Sequence, residues 1–245
     1  MRTLSILLLM VSAACQSAPK TEVVVLGMIH SGHTTSDVWG VDEVSATLRA
    51  IGPDAVLVEI PPDLYPTAAA EFAADGSIEE PRTRRFPEYI DVVFPLQAEL
   101  GYKIVPCAGW TAEMASARSA KIRSWKTERP AQTAQVNAAQ AAVDTNISAE
   151  LGPDDDPRVI HTDRYDELVR AGMQPYDNLW NEDLGPGGWT NINIAHWSLL
   201  EEAIDAHPGQ RLLITFGAWH KYWFMDQLRQ RDDVELLDAR DFLPQ

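Results

Sequence analysis

The chain has 245 residues, 45% of them hydrophobic, which is enough for one sizeable core. Its formal charge of -16 argues against nucleic acid as a partner, because a phosphate backbone is bound through clustered Lys and Arg. Two cysteines, one of them within the first fifteen residues, exclude an internal disulfide framework.

Residues 1–14 follow the plan of a secretory signal. Arg2 supplies the positive charge, Leu4 to Val11 the short apolar run, and Ser12-Ala-Ala the small residues before a cleavage site. The run is too short to span a bilayer as a mature helix. Cys15 directly after it resembles a bacterial lipobox, although Ser12 stands where such motifs usually carry Leu. The expectation is an exported, periplasmic or outer-membrane-anchored lipoprotein lipidated at Cys15, with plain cleavage after Ala14 as the alternative. Residues 15–21 read as a tether, and 22–245 as a single domain.

The first strand is Glu22-Val-Val-Val-Leu-Gly-Met-Ile-His30, followed by Ser-Gly-His33. Its core lacks polar alternation, which suits a strand buried on both faces of a parallel sheet. Val41, Val44, Leu48 and Ile51 then recur at helical spacing, and Gly52-Pro53 stops that helix. Asp54-Ala-Val-Leu-Val-Glu59-Ile is the second strand, with a carboxylate at its carboxyl end. Such a group is costly to bury unless paired or metal-bound. Placing Glu59 level with His30 takes the first two strands as neighbours.

Phe86, Ile90, Val93 and Leu100 trace a second helix ended by Gly101, and Tyr102–Ala108 a third strand holding Cys107. That thiol reads as buried and inert. Residues 111–150, rich in Ala, Gln and Ser, read as a helical pair inserted over the strand ends. Asp154-Asp-Asp156 lacks the spacing of a calcium loop and reads as solvated. A short helix is expected from His161 to Ala171, a long loop from Asn181 to Gly188, and a helix capped by Thr190. Arg211–Phe216 is a strand leading into Gly217-Ala-Trp-His220, a second Gly-x-x-His, and Val234-Glu-Leu-Leu-Asp is an edge strand. Strands alternating with helices give an α/β fold, a mainly parallel sheet flanked by helices.

In such sheets ligands bind beyond the carboxyl ends of the strands, where both Gly-x-x-His units and Glu59 terminate. The glycines are expected to let the backbone turn sharply there. Two imidazoles and a carboxylate, His30, His220 and Glu59, make a set for a divalent ion with open positions for water. His33 reads either as facing the same cleft or as an exposed loop residue. Asn193 reads as a hydrogen-bonding partner of a ligand side chain or as a surface group, and Trp219 as the aromatic nearest a substrate. His196 reads as satisfied by a core or surface hydrogen bond; His161 and His207 carry no assigned role.

Gly27-Met-Ile-His30, the Val58-Glu59 strand end and Gly217-Ala-Trp-His220 resemble the TraB/GumN/Tiki group, related to the erythromycin-esterase and ChaN-like proteins, best over residues 22–60 and 190–245. The resemblance implies catalytic and metal-binding roles for His30, Glu59 and His220, a divalent ion such as manganese, cobalt or zinc, and protease-like hydrolysis at the cell envelope. Many relatives carry an Arg-Asn pair before the late helix; here Asn191 and Asn193 stand without an arginine. The reading is therefore a metal-dependent hydrolase of a peptide, ester or amide, with His33, Asn193 and Trp219 at the substrate. Two others stand beside it: a metal-free version with a histidine as general base, and a non-catalytic envelope lipoprotein binding a small ligand such as haem.

Overall fold

A computed structural model describes residues 19–245. The signal-like segment, Cys15 and most of the tether lie outside the described residues. Five parallel strands form one sheet in the order β3-β2-β4-β1-β5. They are β1 (Thr21–Met28), β2 (Ala55–Val58), β3 (Lys103–Pro106), β4 (Arg211–Gly217) and β5 (Val234–Leu236). The fold is α/β, as the alternating pattern implies.

Strand neighbours differ from the sequence expectation in one respect that matters. The late strand β4 sits between β1 and β2, pairing with both. Met28 is level with Gly217, and Val58 with Thr215. Glu59 therefore meets His30 across the end of β4.

The apolar strand runs are buried because both faces of the sheet are covered. Val24, Leu26, Val56, Val58 and Leu213 point to one side, against α1 (Val41–Ile51) and the segment from Glu88 to Leu100. Val23, Val25, Leu57, Leu212 and Ile214 point to the other, against α8 (Trp189–Asp205) and α9 (Lys221–Leu228). This is the two-residue period of a strand, read once on each face. Cys107 lies in the second layer, and burial pushes its thiol well above its ordinary pKa.

Between these elements several boundaries depart from the sequence reading. Helix α2 (Tyr65–Asp75) follows Pro61-Pro62, a segment left without a helix in the sequence reading. The helix traced from Phe86 opens as a wide π turn, Glu88–Val93, before α3 (Phe94–Leu100). Pro95 has no N–H to offer the carbonyl one turn back, and a wider turn accommodates the loss. Helices α4 (Ala112–Glu128) and α5 (Pro130–Glu150) form the expected pair; the Thr111 hydroxyl caps α4 by accepting from Met114 N–H at 3.1 Å.

After the short α6 (Pro157–Ile160), α7 runs from Asp163 to Leu184, straight through the expected stop at Gly172 and the first half of the expected loop. Gly172 serves packing instead, since a Cβ there would lie 2.1 Å from Val143 Cγ2 on α5. Helix α8 begins at Trp189, so Thr190 is not its cap; its hydroxyl donates to Asp177 at 2.5 Å. No described helix is long and apolar enough to cross a membrane.

Candidate functional site

β1 ends at Met28, and the chain turns into a short 3-10 segment, His30–Thr34. His30 takes a φ of 52°, the only described non-glycine residue in the left-handed region. That conformation is uncommon for a side-chain-bearing residue and is found where surrounding structure enforces it. The enforcing partner is Glu88, brought in by the π turn: His30 Nδ1 lies 2.7 Å from Glu88 Oε1. A carboxylate accepts, so Nδ1 carries the proton and the Nε2 lone pair faces the cleft. Burial alone would lower the His30 pKa, but the Glu88 hydrogen bond and charge, with the charge of Glu59, raise it above its ordinary value.

Glu59 follows β2 and is almost wholly buried. Its own N–H donates to Tyr89 Oη at 2.7 Å, and that hydroxyl donates to the Thr215 carbonyl at 2.7 Å, tying the ends of β2 and β4 together. Glu59 Oε2 accepts from the Gly217 N–H at 2.9 Å and lies 3.7 Å from His30 Nε2. On its other oxygen, an Arg82 Nη stands 3.6 Å away. Burial would raise this carboxyl, but His220, His30 and His196, with the Gly217 N–H, hold it below the usual carboxylate range.

The glycine in the second motif has a reason other than a sharp turn. Gly217 has an ordinary φ of -48°, yet a Cβ on it would fall 2.7 Å from His30 Nε2 and 3.6 Å from Glu59 Oε2. Gly27 likewise leaves room, with Ile160 Cγ2 2.9 Å from where its Cβ would stand. Both glycines are spacers, a correction to the turn expected of them.

His220 stands at the start of α9. Its Nδ1 lies 2.7 Å from Asn193 Oδ1, and Asn193 Nδ2 donates to the Trp189 carbonyl at 2.9 Å. The second bond fixes which way the amide points, so Nδ1 of His220 is the protonated nitrogen and Nε2 is free. Trp189 stacks on the ring at 4.5 Å and 22°, with Phe224 behind it at 6.2 Å. Burial dominates its titration and takes the pKa down to about 4. The next residue, Lys221, donates to Asp166 at 2.6 Å and anchors this end of α9 to α7.

His196, read as a satisfied histidine, is drawn into the site. Its Nδ1 accepts from the Gly109 N–H at 2.8 Å, while Nε2 is buried without a partner. Its ring stands 5.1 Å from that of His220, and burial lowers its pKa to about 3. Glu59, His196 and His220 offer ligand atoms all within 4.8 Å of one another, a spacing that can hold a metal ion.

The tautomers discriminate among these donors. His30 and His220 each have a bare Nε2, whereas a neutral His196 accepting at Nδ1 must carry its proton on Nε2. The spacing gathers His196 with Glu59 and His220 in place of the expected His30, which lies outside that group with its bare Nε2 3.7 Å from Glu59 Oε2; as the hydrogen bonds stand, His196 is an N–H donor.

Of the residues expected at a substrate, Trp219 lines a cleft of about 360 Å³ with Ile29, His30, Trp189 and His220. Asn193 is fully buried behind His220, a partner of a site histidine rather than a contact for substrate. His33 is turned into the fold. Its Nδ1 lies 2.6 Å from the Trp39 carbonyl, and its Nε2 accepts from the Ile29 N–H at 3.2 Å. With both nitrogens occupied and the side chain buried, it braces the loop, a correction to the expected cleft-facing role. His161 does the same further back, accepting from Gly27 N–H at 3.0 Å.

Sequence reading missed Glu88 and Arg82, which lie outside any motif. His196 had a usable signal: Asn193 and His196 are three apart on one helix, so both can face His220. No family model, curated protein or solved structure matches this chain.

Proposed function

We propose that this chain is a hydrolase of a peptide, ester or amide bond, acting in the cell envelope and using a divalent ion held by His30, Glu59 and His220. One observation carries the reading. Two histidines have their Nδ1 protons committed to buried acceptors, Glu88 and Asn193, so that both Nε2 lone pairs remain available beside a buried carboxylate. Orientation of ligating imidazoles by such partners is the usual arrangement in metal sites. When bound, the ion would acidify a water and polarise a carbonyl. The secretory plan of residues 1–14 and Cys15 supports the envelope location.

The chain's own groups supply the rest. A His30 Nε2 given to the ion cannot also take a proton, so in this reading Glu88 holds the ring's tautomer and offsets the positive charge it gains on ligation. Negative charge developing on the substrate oxygen can be met by the unpartnered His196 Nε2–H and the Arg82 guanidinium. Trp189 and Phe224 pack against His220 and hold its ring in place.

A second reading is favoured by Arg82. A guanidinium 3.6 Å from Glu59 already offsets that carboxylate's charge, as an ion would. In this version Glu88 and His30 act as a metal-free base dyad. Metal analysis of protein purified without chelator separates the two. About one divalent ion per chain, lost in both H30A and H220A, is expected of the first; full activity in strong chelator belongs to the second. Metal content unchanged in both variants overturns the ligand assignment.

A further inference from the structure

Arg118 is a cation held rigidly at the edge of this site without a counter-charge. Most of the described arginines are paired, Arg164 with Glu150 at 2.7 Å and Arg229 with Asp163 at 2.6 Å for example, while Arg85, Arg123 and Arg158 share with Arg118 the lack of a carboxylate partner. Among the described residues, no carboxylate lies within 4.0 Å of the Arg118 guanidinium. Its Nε donates instead to Tyr176 Oη at 2.9 Å, and Tyr176 is buried on α7. The guanidinium rests 5.7 Å from the Tyr176 ring and 5.9 Å from the Trp110 ring.

Trp110 joins this group to the reacting centre. It follows Gly109, whose N–H holds His196, and its ring lies 6.3 Å from that imidazole. Arg82, the guanidinium beside Glu59, stands 5.9 Å from the same indole. Arg82 stands 3.6 Å from Glu59, whereas the two terminal nitrogens of Arg118 have no partner among the described residues. A planar fork with its side chain already fixed pays little further entropy on meeting an oxyanion, which it can bind through two parallel hydrogen bonds. On a chain of net charge -16, which repels anions at long range, such a group has a purpose only at short range.

We propose that Arg118, with the face of Trp110 beside it, recognises an anionic oxygen group, a carboxylate or a phosphoryl group, on the substrate of the His30–Glu59–His220 site. This rests on reading that site as the reacting centre, but its test needs no turnover. Full-length protein treated with chelator is titrated with benzoate, phenylphosphonate and the neutral isostere benzamide, followed by the Trp110 indole resonance, which is assigned with W110F. At least one of the two anions is expected to bind about tenfold or more tightly than benzamide, and the tighter of them names the oxyanion class. R118Q is expected to bring that anion down to the level of benzamide, and R118K to recover part of the difference.

Equal binding of both anions and benzamide to the unmodified protein overturns the proposal, whether or not R118Q folds. So does anion affinity unchanged in a folded R118Q. Absence of metal or of hydrolysis would sink the catalytic reading and leave this titration intact.

Discussion

Glu88 meets His30 across 2.7 Å, and this contact decides which nitrogen of the imidazole faces Glu59. The two residues lie on different elements: a left-handed turn after β1 and a π turn that Pro95 widens. Neither would hold the geometry alone.

If Glu88 sets both tautomer and proton affinity, E88Q should bring the His30 pKa down from its raised value, because burial then acts unopposed by that charge. Turnover near neutral pH should fall about 10-fold to 100-fold with folding kept. An NMR titration of the His30 ring in both proteins is the check. An unmoved pKa removes Glu88 from the account.

Asn193 plays the corresponding part for His220. N193L removes the acceptor at 2.7 Å and frees the ring to protonate on either nitrogen. Affinity for a divalent ion should weaken about 10-fold to 100-fold, while secondary structure stays unchanged. Calorimetric titration of zinc into chelator-treated protein reads this directly.

G217A tests the spacer role. The new methyl would sit 2.7 Å from His30 Nε2 with no backbone strain to confuse the result, since φ is -48°. Overpacking of this sort costs about 1–3 kcal/mol. The melting temperature should drop modestly and activity almost vanish. Activity retained in G217A would mean that the imidazole can move aside without consequence.

Acid should destabilise the fold through His161, which is buried and neutral. Its pKa is lowered to about 3 by burial, then by the charge of Lys221. The unfolded chain takes up a proton near pH 6.5 and the native one does not, so this contribution is complete above 6.5. It is lost progressively as pH falls towards 3. Near pH 5 the loss is about 2 kcal/mol for this one group. Urea denaturation at pH 7.5 and pH 5 should show it, and H161Q, though less stable at neutral pH, should show a shallower dependence. Identical slopes would place the acid sensitivity elsewhere.

The sheet was legible because buried parallel strands are written as unbroken apolar runs, and Val23–Leu26 and Leu212–Ile214 are such runs. The helices at 41–51 and 112–150 were legible from spacing and composition. The long α7 was not: Gly172 read as a stop, yet it fits the close crossing with Val143, and the helix continues through Pro175. Within the site, His30, Glu59 and His220 announced themselves by ending apolar runs. Glu88, Arg82 and Arg118 could not, because a charged residue on a helical segment reads the same whether it faces water or a cleft. Only the placement of β4 between β1 and β2 says which.

That placement also fixes the order of assembly. The central strand of the sheet is supplied by residues 211–217, far along the chain from the two strands it joins. Until those residues arrive, β1 and β2 have no common partner, and the two histidine-bearing turns cannot be brought side by side. A nascent polypeptide halted before residue 211 would hold a β2-β3 pair and a β1 with no strand on either side. Pairing across some 190 residues also makes for slow, non-local folding, so the two turns can meet only once residues 211–220 are in place.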